Sequence, residues 1–218
     1  MVGDIATATV LDGRPVHVGP VTLASVHGPW PGGSAALGLP DQVDPRQPSL
    51  FAAAWTVGAL GGLLAAGAAT ITMFETVGWR GLVERDGGSP APGRFLSRPG
   101  TPFPVWQVLA GVAPHRGGRV RSVEVSDTGR VAAFAVGSDT GTTIEIANLT
   151  REPLEVRLSV PDDVGRSGTI RVLDVEAVET TRGADDGRSS ALSADDTSVE
   201  LDAYAIAIIR IDPGPIDR

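Results

Sequence analysis

The sequence predicts an α/β segment built on a parallel sheet, followed by an all-β antiparallel sandwich of about seven strands. Three observations carry this. Residues 1 to about 114 alternate strand-like and helix-like runs, whereas residues 115–218 show short runs of period-two alternation separated by turn signals. The chain has 218 residues and is 42% hydrophobic, so it is long and apolar enough to bury a core. Strand–helix–strand–helix order forms parallel sheets through right-handed crossovers.

Each element has its own reason. Asp4 to Leu11 reads as the end of a helix. Val16 to Leu23 reads as a strand without clean alternation, as expected when both faces are covered. A Gly- and Pro-rich loop follows from Ala24 to Pro48, and loops of that length are usually functional. Pro48-Ser49 starts a helix that runs to Ala66, and Gly67 stops it. Its Ala and Gly residues let it lie close on a sheet. The residue types then change to Ala-Thr-Ile-Thr-Met-Phe, predicting a buried strand from Ala69 to Glu75. A second loop, Thr76 to Thr101, leads to a short helix over Phe103 to Val112.

The second half reads as strands at Arg119–Val125, Arg130–Val136, Thr142–Ala147, Leu154–Val160, Thr169–Val178, Thr197–Leu201 and Tyr204–Ile211. Leu154, Val156, Leu158 and Val160 alternate with Glu155, Arg157 and Ser159, the mark of a half-buried strand. Arg182 to Asp196 reads as a polar hairpin loop.

Composition excludes several chemistries. All 18 basic residues are Arg, and the chain has no Lys and no Cys. Schiff-base lysines, disulfides and thiolate chemistry are therefore absent. The net charge of −8 argues against general nucleic-acid binding. Residues 47–74 carry no charge and contain a GxxxG at Gly58–Gly62, but the stop at Gly67 makes a buried helix and strand the better reading than a membrane span. The first residues lack the basic and apolar regions of a signal peptide, so a cytoplasmic location is expected.

Parallel sheets place chemistry at the carboxyl ends of their strands. That rule selects two places. One is the end of the first strand, with Thr22, His27 and Trp30 as candidate substrate contacts. The other is the end of the second, where Glu75 leads into Thr76-Val77-Gly78-Trp79-Arg80-Gly81. A carboxylate beside an aromatic and an Arg suits a polyhydroxylated substrate: Glu75 as general base or acid, Trp79 stacking, Arg80 holding a carboxylate product. Equally, Glu75 pairs with Arg80 and simply orders the loop. His17 sits within a strand and reads as packed or hydrogen-bonded, and Asp44 as a helix-dipole partner. The acidic pairs Asp162-Asp163, Asp185-Asp186 and Asp195-Asp196 read as solvated turns, and Asn148-Leu149-Thr150 matches a glycosylation sequon. The three histidines lack metal-ligand spacing, so neither a metal nor a cofactor is expected.

Pro20-Val21-Thr22-Leu23, Asp44-Pro45-Arg46-Gln47, Phe51-Ala52-Ala53-Ala54-Trp55-Thr56, Phe74 to Leu82 and Phe103 to Leu109 occur in the order found in D-apionate lactonase-like proteins, which this sequence resembles over residues 14–112. The resemblance implies the last βα units of a (β/α)8 barrel with a β-sandwich beside it. It makes 16–23 and 69–75 the last two barrel strands and puts Glu75 at the mouth of the final one. The sequence departs from that family at Ala24 to Trp30, where an Arg- and Asn-containing stretch is expected, and at Trp106-Gln107, where Tyr-His is expected.

Two functions follow as expectations. One is the C-terminal part of a sugar-acid lactonase or glycoside-hydrolase-like protein, inactive alone because about six barrel strands and any partner carboxylate are missing. The other is a non-catalytic carbohydrate-binding or interaction sandwich. Its scarcity of aromatics, Phe134 and Tyr204 only, counts against the second. Expected partners are a sugar-acid lactone or carbohydrate, and either a second copy or the missing N-terminal barrel half. The outer edges of two parallel strands expose unpaired backbone groups.

Overall fold

The computed structural model describes residues 13–24, 37–161, 167–180, 188–193 and 197–213. Strands β1 (His17–Val21) and β2 (Thr70–Met73) pair in parallel, with His17 opposite Thr70 and Val18 opposite Ile71. Helix α1 (Leu50–Ala65) joins them, and helix α2 (Pro104–Val112) follows the second loop. This is the predicted order. Two expectations fail. β1 is not covered on both faces, since His17, Gly19 and Pro20 are exposed, while Val21 is buried with Leu63. β2 is not a buried strand either: Thr70 and Thr72 are exposed and Ile71 and Met73 half-buried, because among the described residues no third strand flanks the pair.

The stop of α1 is the one its sequence announces. Gly67 takes φ +79°, its N–H donates to Leu64 O at 3.0 Å, and Ala68 N–H donates to Leu63 O at 3.1 Å. Those two bonds satisfy carbonyls that the helix end leaves open. The start also falls where expected, with Ser49 at the N-cap and Leu50 the first helical residue. Asp44, expected as a helix-dipole partner, pairs instead with Arg46: its carboxylate accepts from Arg46 Nε at 2.9 Å and Nη2 at 2.7 Å, and that guanidinium lies 4.3 Å from the Phe51 ring centre. A neighbouring cation two residues away satisfies the buried carboxylate more fully than a helix dipole would.

Eight strands follow among the described residues. Six form one antiparallel sheet in the order β3-β4-β5-β10-β7-β8: β3 (Arg119–Arg121), β4 (Val131–Ser138), β5 (Gly141–Asn148), β10 (Ile206–Ile211), β7 (Ser167–Leu173) and β8 (Arg188–Ser193). β6 (Leu154–Leu158) and β9 (Thr197–Leu201) form a ribbon over one face. Ile144, Ile146, Ile170, Ala207 and Ile209 pack on that side against Val199 and Leu201. The opposite face carries Phe134, Ala147, Leu173, Ile206 and Ile208, covered by α1 and α2. β10 is central and buried on both sides, which is why Ile206-Ala207-Ile208-Ile209 shows no alternation. α1 reaches β4 through its glycines: a Cβ on Gly61 would stand 3.1 Å from Ala133 O.

Two strand assignments need correction. The run predicted as a strand from Thr169 to Val178 breaks at Leu173, and helix α3 (Val175–Thr180) begins after it. Asp174 Oδ1 accepts from Ala177 N at 2.9 Å, a cap that competes with strand continuation. The segment read as a loop from Arg182 to Asp196 contains β8, whose Ser-rich composition hides a strand anchored by buried Leu192. Residues 4–11, 162–163, 185–186 and 195–196 lie outside the described residues. Among the described residues no helix is long and apolar enough to cross a membrane.

Candidate functional site

The carboxyl end of β2 turns sharply. Phe74 takes φ +59°, a left-handed conformation that costs a non-glycine residue about 1–2 kcal/mol. Burial holds it there: Phe74 is 9% exposed and its ring centre lies 6.4 Å from that of Trp55. The turn leaves the next side chain, Glu75, about half exposed at 51%.

Glu75 is tied twice to Arg80. Its backbone N–H donates to Arg80 O at 2.8 Å, and the Arg80 guanidinium forms an ion pair with Glu75 Oε1. Arg80 is steadied in turn by donating to Gln42 Oε1 at 3.0 Å. The intervening loop is tight: Gly78 has φ +93°, Gly81 N–H donates to Gly78 O at 2.8 Å, and a Cβ on Gly81 would stand 2.7 Å from Val77 C. Gln47, buried, donates to Gly81 O at 2.8 Å, and Phe103 N–H donates to Leu82 O at 2.8 Å. The loop is thereby pinned to the start of α1 and the start of α2.

Of the remaining candidates, the described ones, Trp79 and Thr22, make their contacts away from this pair. Trp79 donates through Nε1 to Ser89 Oγ at 2.9 Å, and its ring centre lies 6.2 Å from that of Phe95, so its indole builds the small core under the loop. Thr22 donates to Ala24 O at 2.6 Å at the end of β1. His27 and Trp30 lie outside the described residues. His17 is exposed, with Nδ1 2.8 Å from Thr70 Oγ1 on the neighbouring strand. Among the described residues no group of three or more His, Asp or Glu side chains is placed to hold a metal.

Sequence reasoning missed Gln42, whose partner is set by the fold, and Glu84. Glu84 is 1% exposed; it accepts from Arg85 N at 2.8 Å and from the Ser97 hydroxyl, stitching the second loop together. A cavity of about 340 Å³ lies between that loop and α3, lined by Pro48, Leu96, Arg98, Phe103 and Val178 among others. It does not include Glu75 or Arg80.

The comparisons agree with this architecture. A model of the D-apionate lactonase TIM barrel domain matches residues 5–117, and one of the D-apionate lactonase C-terminal immunoglobulin-like domain matches residues 128–209. No curated protein matches the sequence. A conserved exported protein from Bacteroides fragilis is 12% identical with a TM-score of 0.61, covering 96% of this chain and 42% of its own. An arabinose-bound α-L-arabinofuranosidase of glycoside hydrolase family 51 is 14% identical with a TM-score of 0.60, covering 98% of this chain and 35% of its own. A family 30 endoxylanase from Clostridium papyrosolvens is 14% identical with a TM-score of 0.55, covering 76% and 39%. At such identity these structures speak to the fold alone, and the chain spans about two fifths of their length. A parallel pair from a barrel, a sandwich beside it and both matching domain models make the same assignment: the chain belongs to the D-apionate lactonase family.

Proposed function

We propose that this chain supplies one wall of a sugar-acid lactonase site, with Glu75 as the general base and Arg80 as its positioning partner and oxyanion-side cation. The observation that carries the reading is the Glu75–Arg80 pair at the carboxyl end of β2. There a half-exposed carboxylate can take a proton from water. The resulting hydroxide adds to the lactone carbonyl, the ring C–O bond breaks, and the leaving alkoxide takes the proton back, giving a hydroxy acid. Arg80 restrains the carboxylate and offers positive charge to the developing oxyanion and to the carboxylate product. Two parallel strands cannot enclose a barrel mouth. The substrate's other contacts therefore come from further strands, and this chain alone is inactive.

The test is lactone hydrolysis by this chain joined to the remaining barrel strands of a family member. Glu75→Gln should lower kcat/KM by about 10²- to 10⁴-fold, the usual contribution of a positioned base. Normal turnover by that variant would sink the assignment. The chain by itself should show no activity in the same assay.

A further inference from the structure

The seam between α2 and the sandwich holds a carboxyl group that no described residue hydrogen-bonds. Glu145, in the middle of β5, is fully buried, and neither carboxylate oxygen has a hydrogen-bond partner among the described residues. Buried polar groups in native proteins are nearly always satisfied, so a group left bare calls for a physical account. The surroundings explain how it fits. Across the sheet Glu145 is opposite Phe134 on β4 and Ile208 on β10. Above it is Gly111, in the last turn of α2, where any Cβ would collide with Glu145 Oε1. The glycine makes room for the carboxyl, and the carboxyl fills the room.

The groups facing this seam are few. α2 contributes no charge; its Gln107 accepts from Arg171 Nη2 at 2.7 Å. β7 contributes Arg171, level with Ile208, and β10 contributes Arg210. Beyond the end of α2, His115 Nε2 lies 2.7 Å from Thr143 Oγ1, two residues before Glu145 on the same side of β5. α1 and β4 add no charged side chain; Ser138 Oγ, at the end of β4, lies 3.0 Å from His115 Nδ1. Burial pushes the Glu145 carboxyl well above its usual range, and Arg171 and Arg210 oppose that only in part. The C-terminal turn of α2 presents the negative end of its dipole to the same spot, which also favours the neutral form.

We propose that Glu145 is a proton-operated latch between α2 and the sandwich. With its proton on, the neutral carboxyl is tolerated under Gly111 and α2 lies flat. With its proton off, the bare charge cannot stay in an apolar seam. α2 lifts at its C-terminal turn, and the carboxylate reaches Arg171, displacing Gln107, or Arg210. The latch is independent of the lactonase reading, because it touches neither Glu75 nor Arg80.

The sign follows from linkage. A carboxyl whose native pKa lies above its unfolded value stabilises the fold fully below the unfolded pKa, near 4.5, and that stability is lost as pH rises towards the native pKa. Urea unfolding of the full chain should therefore show an unfolding constant that rises by up to tenfold per pH unit above about 4.5, from this group. Glu145→Gln should remove that rise; parallel profiles for the two proteins would overturn the latch. Deuterium uptake gives a reading on the unaltered protein. After correction for intrinsic exchange, the peptide covering 104–112 should lose protection with rising pH faster than that covering 206–211. Equal pH dependence of the two would refute it. Space is tested separately: Gly111→Ala should lower the urea midpoint, and Glu145→Ala in the same chain should restore part of it.

Discussion

Single residues here do more than their types suggest. Asn148 is fully buried, and its Nδ2 lies 2.7, 3.1 and 2.9 Å from the carbonyls of Glu152, Leu201 and Asp202. Its Oδ1 accepts from Thr150 N and from the Thr150 hydroxyl, both at 2.8 Å. The triplet that matches a glycosylation sequon is therefore a clamp that ties the end of β5 to the end of β9. Asn148→Ala would strand those carbonyls, and we expect a loss of about 2–3 kcal/mol in urea unfolding. A loss within 0.5 kcal/mol, as expected for an exposed site, would contradict the clamp. Glu75 and Arg80 are the opposite case. Their proximity was legible as an acid and a base five residues apart across a Gly-rich turn, whereas the left-handed Phe74 that aims them was not. Its conformation is imposed by burial against Trp55, a contact no local pattern encodes.

At the scale of elements, the sequence was legible where the local signal and the tertiary demand agree. Gly67 stops α1 because only glycine takes that backbone turn without cost, and the apolar run of β10 reflects two covered faces. It was illegible where they diverge. Asp174 reads as a polar position in a strand but caps α3, and the serines of β8 mask a strand that needs only Leu192 to anchor it. Glu145 falls in a Thr-Thr-Ile-Glu-Ile-Ala pattern that promises a solvent-facing side chain, because α2, which covers it, is distant in sequence. The docking of α1 gives a paired prediction. A Cβ on Gly58 would make ordinary contact, 3.6 Å from Ala132 Cβ, whereas one on Gly61 would crowd Ala133 O. Gly58→Ala should therefore raise stability by roughly 0.5–1 kcal/mol through helix propensity, while Gly61→Ala should gain nothing. Thermal melts of the two variants separate these outcomes; an equal rise in both would mean that α1 does not lie close on β4.

On the scale of the whole molecule, one six-stranded sheet serves two cores. The β6–β9 ribbon covers one face, and α1 and α2 cover the other. We propose a division at residues 114 and 115, but the parts do not share stability evenly. Released at residue 115, the sandwich would present Phe134, Leu173, Ile206 and Ile208 to water, an apolar patch large enough to drive association. A fragment of residues 115–218 should therefore bind a hydrophobic dye strongly or run as an oligomer, and the full chain should melt in a single transition. A monomeric, dye-silent fragment would show that the helices are dispensable to the sheet.

Asn148 has a last consequence, in chemical ageing. It is the only asparagine in the chain. Deamidation needs the next backbone nitrogen to attack the side-chain amide carbon, and here that amide is fixed on both its oxygen and its nitrogen. Long storage should thus generate no acidic charge variants from asparagine while the fold is intact. Their appearance on an isoelectric gel would report the opening of this one clamp.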